Sequence, residues 1–508
     1  MTGRSFYFLV AALWLGNFMP ALDQTMVLAA LPTVVGALNG IELYAWVFAA
    51  YLLALTIAIP IFGKLSDLFG RKPVYFFGMG LFALGAVTSS LAQNVEQLII
   101  CRVLTGLATA CVQPVAQTIM GDAFPMAQRA KLQWVFASAW FVASLIGPLL
   151  GSTIIAFATW RLVFLVTIPI GMIAVVIMAT QYQETVERHS HRLDFPGVFL
   201  LGAGVLALLF ALSPTDRTAG ISAQSMSLIG ISAVLLVAFV WNELRASEPV
   251  LPPRLFLIPV VGIAALGCIG SGVVQSGATS FITIFVQGGQ GASAAEAGLV
   301  LGVLTMGWPV GAGLGGRFLM RIGFRRTIIA GMGITALASL GFLLLDRNSS
   351  TFTSIGWMTL MGLGFGFSSV GITISVQNSV GWADRGVATA SMQFFRSIGG
   401  SVGVAIMGTI MGMRLQPVLA QYQLSGAEGG ANALLKPVSR DALPPDVLAA
   451  LQSALTEGIH NAFFVMAFAA IAAFIVVLWF PSTLREPMPS ARASEVPGPS
   501  HADATVAE

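Results

Sequence analysis

Residues 63–72 read Gly-Lys-Leu-Ser-Asp-Leu-Phe-Gly-Arg-Lys, and residues 316–325 read Gly-Arg-Phe-Leu-Met-Arg-Ile-Gly-Phe-Arg. The second stretch repeats both glycines and two of the basic positions of the first, 253 residues later. Each stretch joins two long apolar runs. Each is therefore predicted to be a short charged turn between two helices, and the chain to be a duplication of one helical unit.

The composition indicates what surrounds these helices. Of the 508 residues, 56% are hydrophobic and 9% are charged, whereas about 25% of the residues of a soluble domain are charged. The sequence also has no long polar block. These properties exclude a soluble enzyme and a soluble domain held by one or two anchors. The formal net charge of +3, carried by scattered basic residues, does not indicate a nucleic-acid partner.

Apolar runs of about 20 residues, separated by charged and Pro/Gly breaks, predict fourteen membrane-spanning helices. They are expected at 6–36, 45–65, 74–92, 97–120, 132–156, 161–181, 196–213, 226–243, 258–287, 297–317, 327–345, 353–378, 387–411 and 459–480. An even number of spans puts both termini on one side. If that side is the cytoplasm, seventeen of the 25 lysines and arginines lie inside, as the positive-inside rule requires.

The repeat divides these helices. Gly147-x-x-x-Gly151 on helix 5 recurs as Gly399-x-x-x-Gly403 on helix 13, so helices 1–6 correspond to helices 9–14. Helices 7 and 8 are an insertion. The expected regions are an N-terminal six-helix bundle (1–181), two linker helices with their loops (182–257), a C-terminal bundle with an exterior loop at 412–458 (258–482), and a disordered cytoplasmic tail (483–508). Within the exterior loop, the amphipathic stretch from Asp446 to Ile459 is expected to lie on the membrane surface or to cap the exit.

Asp23 is the only one of the 22 acidic residues that falls deep inside a predicted span. A charged carboxylate there costs about 3 kcal/mol. A carboxyl group whose access to water alternates can load a proton on one side and release it on the other, which makes Asp23 a candidate proton carrier. The alternative is a structural acid bonded to neighbouring Gln or Thr side chains. Arg102 on helix 4 and Arg396 on helix 13 either serve such a circuit or snorkel to the interface.

The charged loop at 63–72 is a candidate conformational lock. Asp67 can accept backbone N–H groups at a helix start or pair with a base, and Arg71 can reach Asp122, at the cytoplasmic end of helix 4, if the two lie adjacent. Topology alone explains the basic residues, Lys72 in particular, but does not require Asp67. The predicted lock residues are Gly63, Asp67, Gly70, Arg71, Lys72 and Asp122.

Two further sets of residues complete the candidate site. Gly147 and Gly151 flank Pro148, so helix 5 can approach another helix closely and pivot there. Polar and aromatic side chains within spans could line a substrate cavity; the candidates are Gln24, Gln113, Trp140, Gln275 and Gln393. The three cysteines lie in apolar runs and the four histidines outside the spans, so neither a metal site nor a cofactor is predicted.

The chain resembles the major facilitator superfamily, and within it the fourteen-span drug:proton antiporters of the EmrB/QacA type, from about residue 6 to residue 480. Four stretches carry the likeness: residues 63–72 match the loop 2–3 signature, Leu22–Pro32 the helix 1 signature, Arg102 with Gly106 the helix 4 motif, and Gly147-Pro148 with Gly151 the helix 5 antiporter motif. The resemblance implies that Asp23 is the protonation site, Arg102 its regulator, and Asp67, Arg71 and Asp122 the cytoplasmic lock. Helix 10 has no membrane-embedded acid, which argues against dicationic substrates specifically.

The function implied is a proton-coupled multidrug efflux antiporter that exports hydrophobic or cationic small molecules by alternating access. Its partners would be small-molecule substrates, protons and the lipid bilayer of the plasma (inner) membrane, with a periplasmic adaptor if the chain comes from a two-membrane bacterium. The alternatives are a dedicated exporter of one metabolite, lipid or siderophore, and a receptor or scaffold that has lost turnover. A membrane enzyme would need clustered His, Asp or Ser in the spans, and the sequence has no such cluster.

Overall fold

The computed structural model describes residues 3–38, 44–182, 184, 194–212, 223–247, 249–292, 294–422 and 444–482. In this part of the chain the regular structure is helical throughout. Its long helices are α1 (Gly3–Ala37), α2 (Tyr44–Phe69), α3 (Arg71–Ser90), α4 (Val95–Ala123), α5 (Met126–Phe157), α6 (Leu162–Leu165 continued by Thr167–Gln181), α7 (Phe195–Leu212), α8 (Ala223–Glu243), α9 (Pro259–Ile284, extended by a π-helical turn at Phe285–Gly289), α10 (Ala294–Ile322), α11 (Phe324–Phe342), α12 (Thr351–Ser379), α13 (Arg385–Gln421) and α14 (Pro445–Leu478).

Twelve of the described helices are long and apolar enough to cross a membrane. The other two are α7, whose apolar part Phe195–Leu208 is shorter, and α11, which begins with Phe324-Arg325-Arg326. The prediction of an all-α membrane protein is confirmed. The number of fourteen spans stays a prediction.

The helices pack in two groups of six. In the first group α1 packs on α5 and α6, and α4 packs on α2 and α3. In the second group α9 packs on α13 and α14, and α12 packs on α10 and α11. The helices α7 and α8 between the groups pack mainly on each other. This is the predicted fold class, whereas the domain boundaries at 181, 257 and 482 stay predictions.

Glycines allow equivalent helices of the two groups to approach equally closely. On α5, a Cβ at Gly147 would lie 2.0 Å from Thr25 Oγ1 of α1. On α13, a Cβ at Gly399 would lie 2.2 Å from the carbonyl oxygen of Ile269 on α9. No side chain fits at such distances, so the repeated glycines permit the same close pairing, α5 on α1 and α13 on α9, in both groups.

The two groups meet through α2 against α13 and through α5 against α10. Gly63 on α2 lies against Ala390 on α13, and Gly316 on α10 lies against the backbone of Ala130 on α5. Both contacts are at the end of the molecule that carries the charged loops, which is the predicted cytoplasmic end. The structure is therefore closed at that end.

The opposite end differs from the prediction. Helix α13 continues to Gln421 and α14 begins at Pro445, so the loop expected at 412–458 is shorter. The stretch from Asp446 to Ile459 is not a separate helix on the membrane surface, because its apolar residues belong to the same buried cluster as those at the end of α13: Leu415, Leu419, Leu451, Leu455 and Ile459. Its amphipathic pattern reflects this helix pairing. Residues 423–443 and the predicted disordered tail (483–508) lie outside the described residues.

Candidate functional site

A buried ion pair joins α1 to α4. Nη1 of Arg102 donates to Oδ2 of Asp23 at 2.8 Å, and both side chains have 0% exposure. Arg102 therefore points into the protein, and not toward the membrane surface as a snorkelling side chain would. The structure thus brings together the two residues that the sequence singled out separately.

The surroundings of this pair leave it incompletely bonded. The guanidinium carbon of Arg102 lies 4.6 Å from the centre of the Tyr51 ring, a cation–π contact. Among the described residues, Oδ1 of Asp23 and both Nε and Nη2 of Arg102 have no hydrogen-bond partner. A buried charge pair without further hydrogen bonds recovers little of its desolvation cost. The pair is therefore costly to keep buried.

The ion pair lies next to the contact between α1 and α5. The hydroxyl of Thr25, two residues after Asp23, donates to the carbonyl oxygen of Ala143 on α5 at 2.9 Å. One turn further along α5, Gly147 packs on Thr25, and Pro148 follows within the continuous helix. A displacement of Asp23 would therefore act directly on α5, and the hinge role of Pro148 stays a prediction.

Asp67 connects the two helical groups. Its carboxylate accepts the backbone N–H groups of Gly386 at 2.9 Å and of Val387 at 2.7 Å. These are the first N–H groups of α13, where the positive end of the helix dipole favours an acid. Nη1 of Arg71 also lies 2.6 Å from Asp67. Both kinds of partner expected for Asp67 are present, and the helix that it caps belongs to the opposite group.

Arg71 and Asp122 complete the charged contact. Nε of Arg71, at the start of α3, lies 3.2 Å from Oδ2 of Asp122, near the end of α4. Nη2 of Arg71 donates to the carbonyl oxygen of Trp382 at 2.9 Å, and Nη1 of Arg385 lies 3.0 Å from Oδ1 of Asp122. Sequence reasoning missed Arg385. A base in the first turn of a helix opposes the helix dipole, and that anomaly is a signal that could have identified it.

Of the remaining predicted lock residues, Gly63 packs on α13 of the second group, whereas Gly70 and Lys72 make contacts within the first. Gly70 has a φ of 96°, which favours glycine. The carboxylate of Glu184 accepts the N–H groups of Arg71 and Lys72. The ammonium of Lys72 donates to carbonyl oxygens at the end of α6, including that of Tyr182 at 2.6 Å. Lys72 thus joins α3 to α6 and does not cross to the second group.

A second polar contact between the groups was not anticipated from the sequence. Nη1 of Arg129 on α5 donates to Oε1 of Gln377 at 3.2 Å, and Nη2 donates to Oδ1 of Asn378 at 2.9 Å. Both acceptors lie in the last turn of α12. The partners are amides, so this contact lacks the charge pairing found at Asp122.

The candidate cavity residues lie on five different helices. Gln113 on α4 is buried and Trp140 on α5 is 38% exposed. Three further candidates, on α1, α9 and α13, are half-buried: Gln24, Gln275 and Gln393. Near the middle of α5, Ser144 lies 3.3 Å from Thr305 on α10, so the groups also touch there. A common cavity for these five residues stays a prediction.

Comparison with known proteins identifies relatives over almost the whole chain. Residues 13–404 match the model of the Major Facilitator Superfamily. The multidrug transporter protein MdtP of Bacillus subtilis is 32% identical over 504 residues, which cover 94% of this chain and 93% of that protein. Multidrug resistance protein 3 of Bacillus subtilis is 30% identical over 490 residues, with 93% and 94% covered. The tetracenomycin C resistance and export protein of Streptomyces glaucescens is 27% identical over 409 residues, with 80% and 76% covered.

Solved structures share the fold at low sequence identity. The human organic anion transporter MFSD10 superimposes with a TM-score of 0.59 at 14% identity, covering 91% of this chain and 99% of that one. A bacterial homologue of the iron transporter ferroportin in its outward-facing state gives a TM-score of 0.60 at 12% identity, with 93% and 99% covered. Identities this low bear on the fold alone.

Proposed function

The chain belongs to the Major Facilitator Superfamily, and we propose that it is an efflux transporter that exchanges protons for hydrophobic or cationic small molecules. Export is favoured by the relatives named for multidrug transport or resistance. The observation that carries proton coupling is the fully buried pair of Asp23 and Arg102. A membrane-embedded carboxylate that can be neutralised by a proton is the simplest device for coupling a fold of this kind to a proton gradient.

Protonation of Asp23 changes the balance of forces around α1. With Asp23 ionised, attraction to Arg102 holds α1 and α4 together. Once Asp23 is protonated, the attraction between opposite charges is lost, and the guanidinium charge of Arg102 is balanced less well by a neutral carboxyl group and the Tyr51 ring. The contact of Thr25 with α5 passes the resulting shift of α1 to the helix that borders α10 of the second group.

The charged contact at the predicted cytoplasmic end acts as the lock of this cycle. In the closed state Asp67 caps α13, and Arg71 and Arg385 meet at Asp122. A proton taken up by Asp23 from the exterior favours release of the substrate and return to the inward-facing state. Deprotonation on the cytoplasmic side then permits the next load. One proton that crosses with a membrane potential of 100 mV supplies about 2.3 kcal/mol.

We place this transporter in the plasma (inner) membrane with both termini in the cytoplasm. The support for this orientation is the excess of lysine and arginine in the loops on that side. A requirement for a periplasmic adaptor stays a prediction that depends on the source of the chain.

The test is reconstitution into liposomes with an acidic lumen. A pH-sensitive dye reports the lumen while lipophilic compounds of fixed charge, both quaternary ammonium cations and aromatic sulfonates, are added outside. Fixed charge prevents passive collapse of the gradient by weak bases. Wild type is expected to dissipate the gradient with at least one compound, and Asp23→Asn is expected to give no response.

Two controls distinguish a specific loss of proton coupling from passive leakage and from a general effect of removing an acid. Protein-free liposomes report leakage, and Glu96→Gln, which removes an acid in the first turn of α4, is expected to behave as wild type. Equal dissipation by wild type and Asp23→Asn would exclude Asp23 as the proton carrier. The absence of any response in wild type would exclude proton-coupled export of these compounds.

A further inference from the structure

Arg396 on α13 is a second arginine deep within the predicted membrane region. Trp308 on α10 and Cys268 on α9 surround its guanidinium group. At a rise of ~1.5 Å per residue, counted from the predicted cytoplasmic end of each helix, Arg396 lies about 17 Å along α13. On the same basis Trp308 lies about 21 Å along α10, and Cys268 about 14 Å along α9. Three helices therefore agree in placing the group near the middle of a hydrocarbon core of about 30 Å.

Arg396 has no acidic partner among the described residues, unlike three of the other arginines that lie between helices. Arg71, Arg102 and Arg385 each pair with a carboxylate. Among the described residues Arg396 forms no ion pair, and its Nε is buried without a hydrogen-bond partner. The sequence offers few partners: α9, α11, α12 and α13 contain no Asp or Glu, α10 has only Glu296, in its first turn, and α14 has only Asp446 and Glu457, in its first half. An unneutralised charge at this depth is costly, and intramembrane charges are functional by default.

The surroundings of Arg396 suit an amphiphilic ligand. Trp308 lies with its ring centre 5.9 Å from the guanidinium carbon and 5.6 Å from the ring of Phe365, so an aromatic surface adjoins the positive charge. Arg396 and Trp308 are both half-buried. Trp308 also lies one turn beyond Thr305, which touches α5 of the first group. The charge is thus beside the boundary between the groups, where transporters of this architecture bind substrate.

We propose that Arg396 binds the acidic group of the exported compound, and that the preferred substrates are hydrophobic molecules with a carboxylate, sulfonate or phenolate beside an aromatic or apolar body. This inference rests on the proposed efflux function and narrows its substrate class. Two further features fit it. Asp23, the one acid predicted to lie deep within a span, is already paired with Arg102 and is not free to attract a cation. The Arg396 charge would repel cationic ligands.

The test compares three pyrene probes that differ only in charge: 1-pyrenebutyrate, 1-pyrenebutanol and 1-pyrenebutylammonium. Binding to purified protein without a gradient is measured by energy transfer from tryptophan to pyrene. Wild type is expected to bind the butyrate at least tenfold more tightly than the ammonium, with the alcohol between them. Arg396→Gln is expected to weaken binding of the butyrate about ten- to hundredfold, as for loss of a charge-assisted hydrogen bond, and to leave the alcohol within about twofold.

Arg396→Lys, which keeps the charge, is expected to restore most of the preference for the butyrate. Arg321→Gln removes an exposed arginine at the end of α10 and is the matched control. An equal loss of all three probes in Arg396→Gln would mean a structural role and overturn the proposal. If that variant does not fold, the order of affinities of the three probes for wild type decides. Wild-type binding of the ammonium as tight as that of the butyrate also overturns the proposal. Gradient dissipation is a separate readout, so failure of export and failure of acid recognition remain distinguishable.

Discussion

The two charged loops, at 63–72 and 316–325, have the same backbone shape but make different contacts with the opposite helical group. Gly70 and Gly323 both have positive φ, 96° and 81°, and each is followed by a new helix. Gly63 and Gly316 each lie against a helix of the opposite group. The charges differ, because the position of Asp67 is occupied in the second copy by Met320, which is 49% exposed. Only the first copy therefore caps a helix across the boundary.

The comparison shows that both copies share a shape set by glycine and that only the first has an acid in contact with the opposite group. The glycines preserve the close approach of the groups in both halves, since any side chain there would collide. Asp67 adds a charged contact between the groups at the closed end. The same asymmetry appears beside it, where Arg385 pairs with Asp122 but Arg129 meets the amides of Gln377 and Asn378.

The largest expected effect comes from Asp67→Asn, which removes the charge that caps α13 of the second group. Hydrogen bonds to a charged group contribute about 1.5–3 kcal/mol, so the closed end is expected to open about ten- to hundredfold more often. The measurement is the rate of maleimide labelling of Ala390→Cys, a fully buried position beside Gly63, in a background without the three native cysteines. Met320→Asn is the matched control in the second loop. A similar acceleration by both variants would contradict the asymmetry.

Glycine substitutions test the part of the loop that the two copies share. A Cβ at Gly316 would lie 2.0 Å from the carbonyl oxygen of Ala130, and one at Gly63 would lie 2.4 Å from Cβ of Ala390. Overpacking costs about 1–3 kcal/mol, so Gly316→Ala and Gly63→Ala are both expected to open the closed end. Opening is measured by maleimide labelling of a cysteine at the contact that is not mutated. That cysteine is Ala390→Cys for Gly316→Ala. It is Ala130→Cys for Gly63→Ala. Opening in only one variant would show that the shape of the loop is not shared.

The smallest expected effect comes from Asn378→Asp, which gives the second group a carboxylate opposite Arg129. The change turns a contact between a charge and an amide into an ion pair, and a partly exposed ion pair contributes about 1 kcal/mol or less, so labelling of Ala390→Cys is expected to slow by up to about fivefold. Added salt should reduce the gain. The reverse change in the first group, Asp122→Asn, is the control and should accelerate labelling. Slowing by both variants would mean that charge does not account for the difference.

The positions of most helices could be predicted from hydropathy, because apolar runs of membrane length have few other stable structures. The ends of α13 and α14 could not. The stretch from Asp446 to Ile459 is amphipathic, and its pattern is the same whether its apolar face covers a bilayer or packs on another helix. The choice depends on α13, whose final residues provide the apolar surface that covers it.

In the candidate site, too, some features could be predicted from the sequence and others could not. The sequence by itself determined that Asp23, Arg102 and Asp67 are unusual, because a charge in an apolar run or an acid in a basic loop is costly or unnecessary for topology. Only the tertiary structure decided their partners. Asp23 and Arg102 are 79 residues apart, and Asp67 and Gly386 are 319 apart. Pairing over such separations depends on which helices pack together. The small residues that permit this packing do not identify the helix on which they pack.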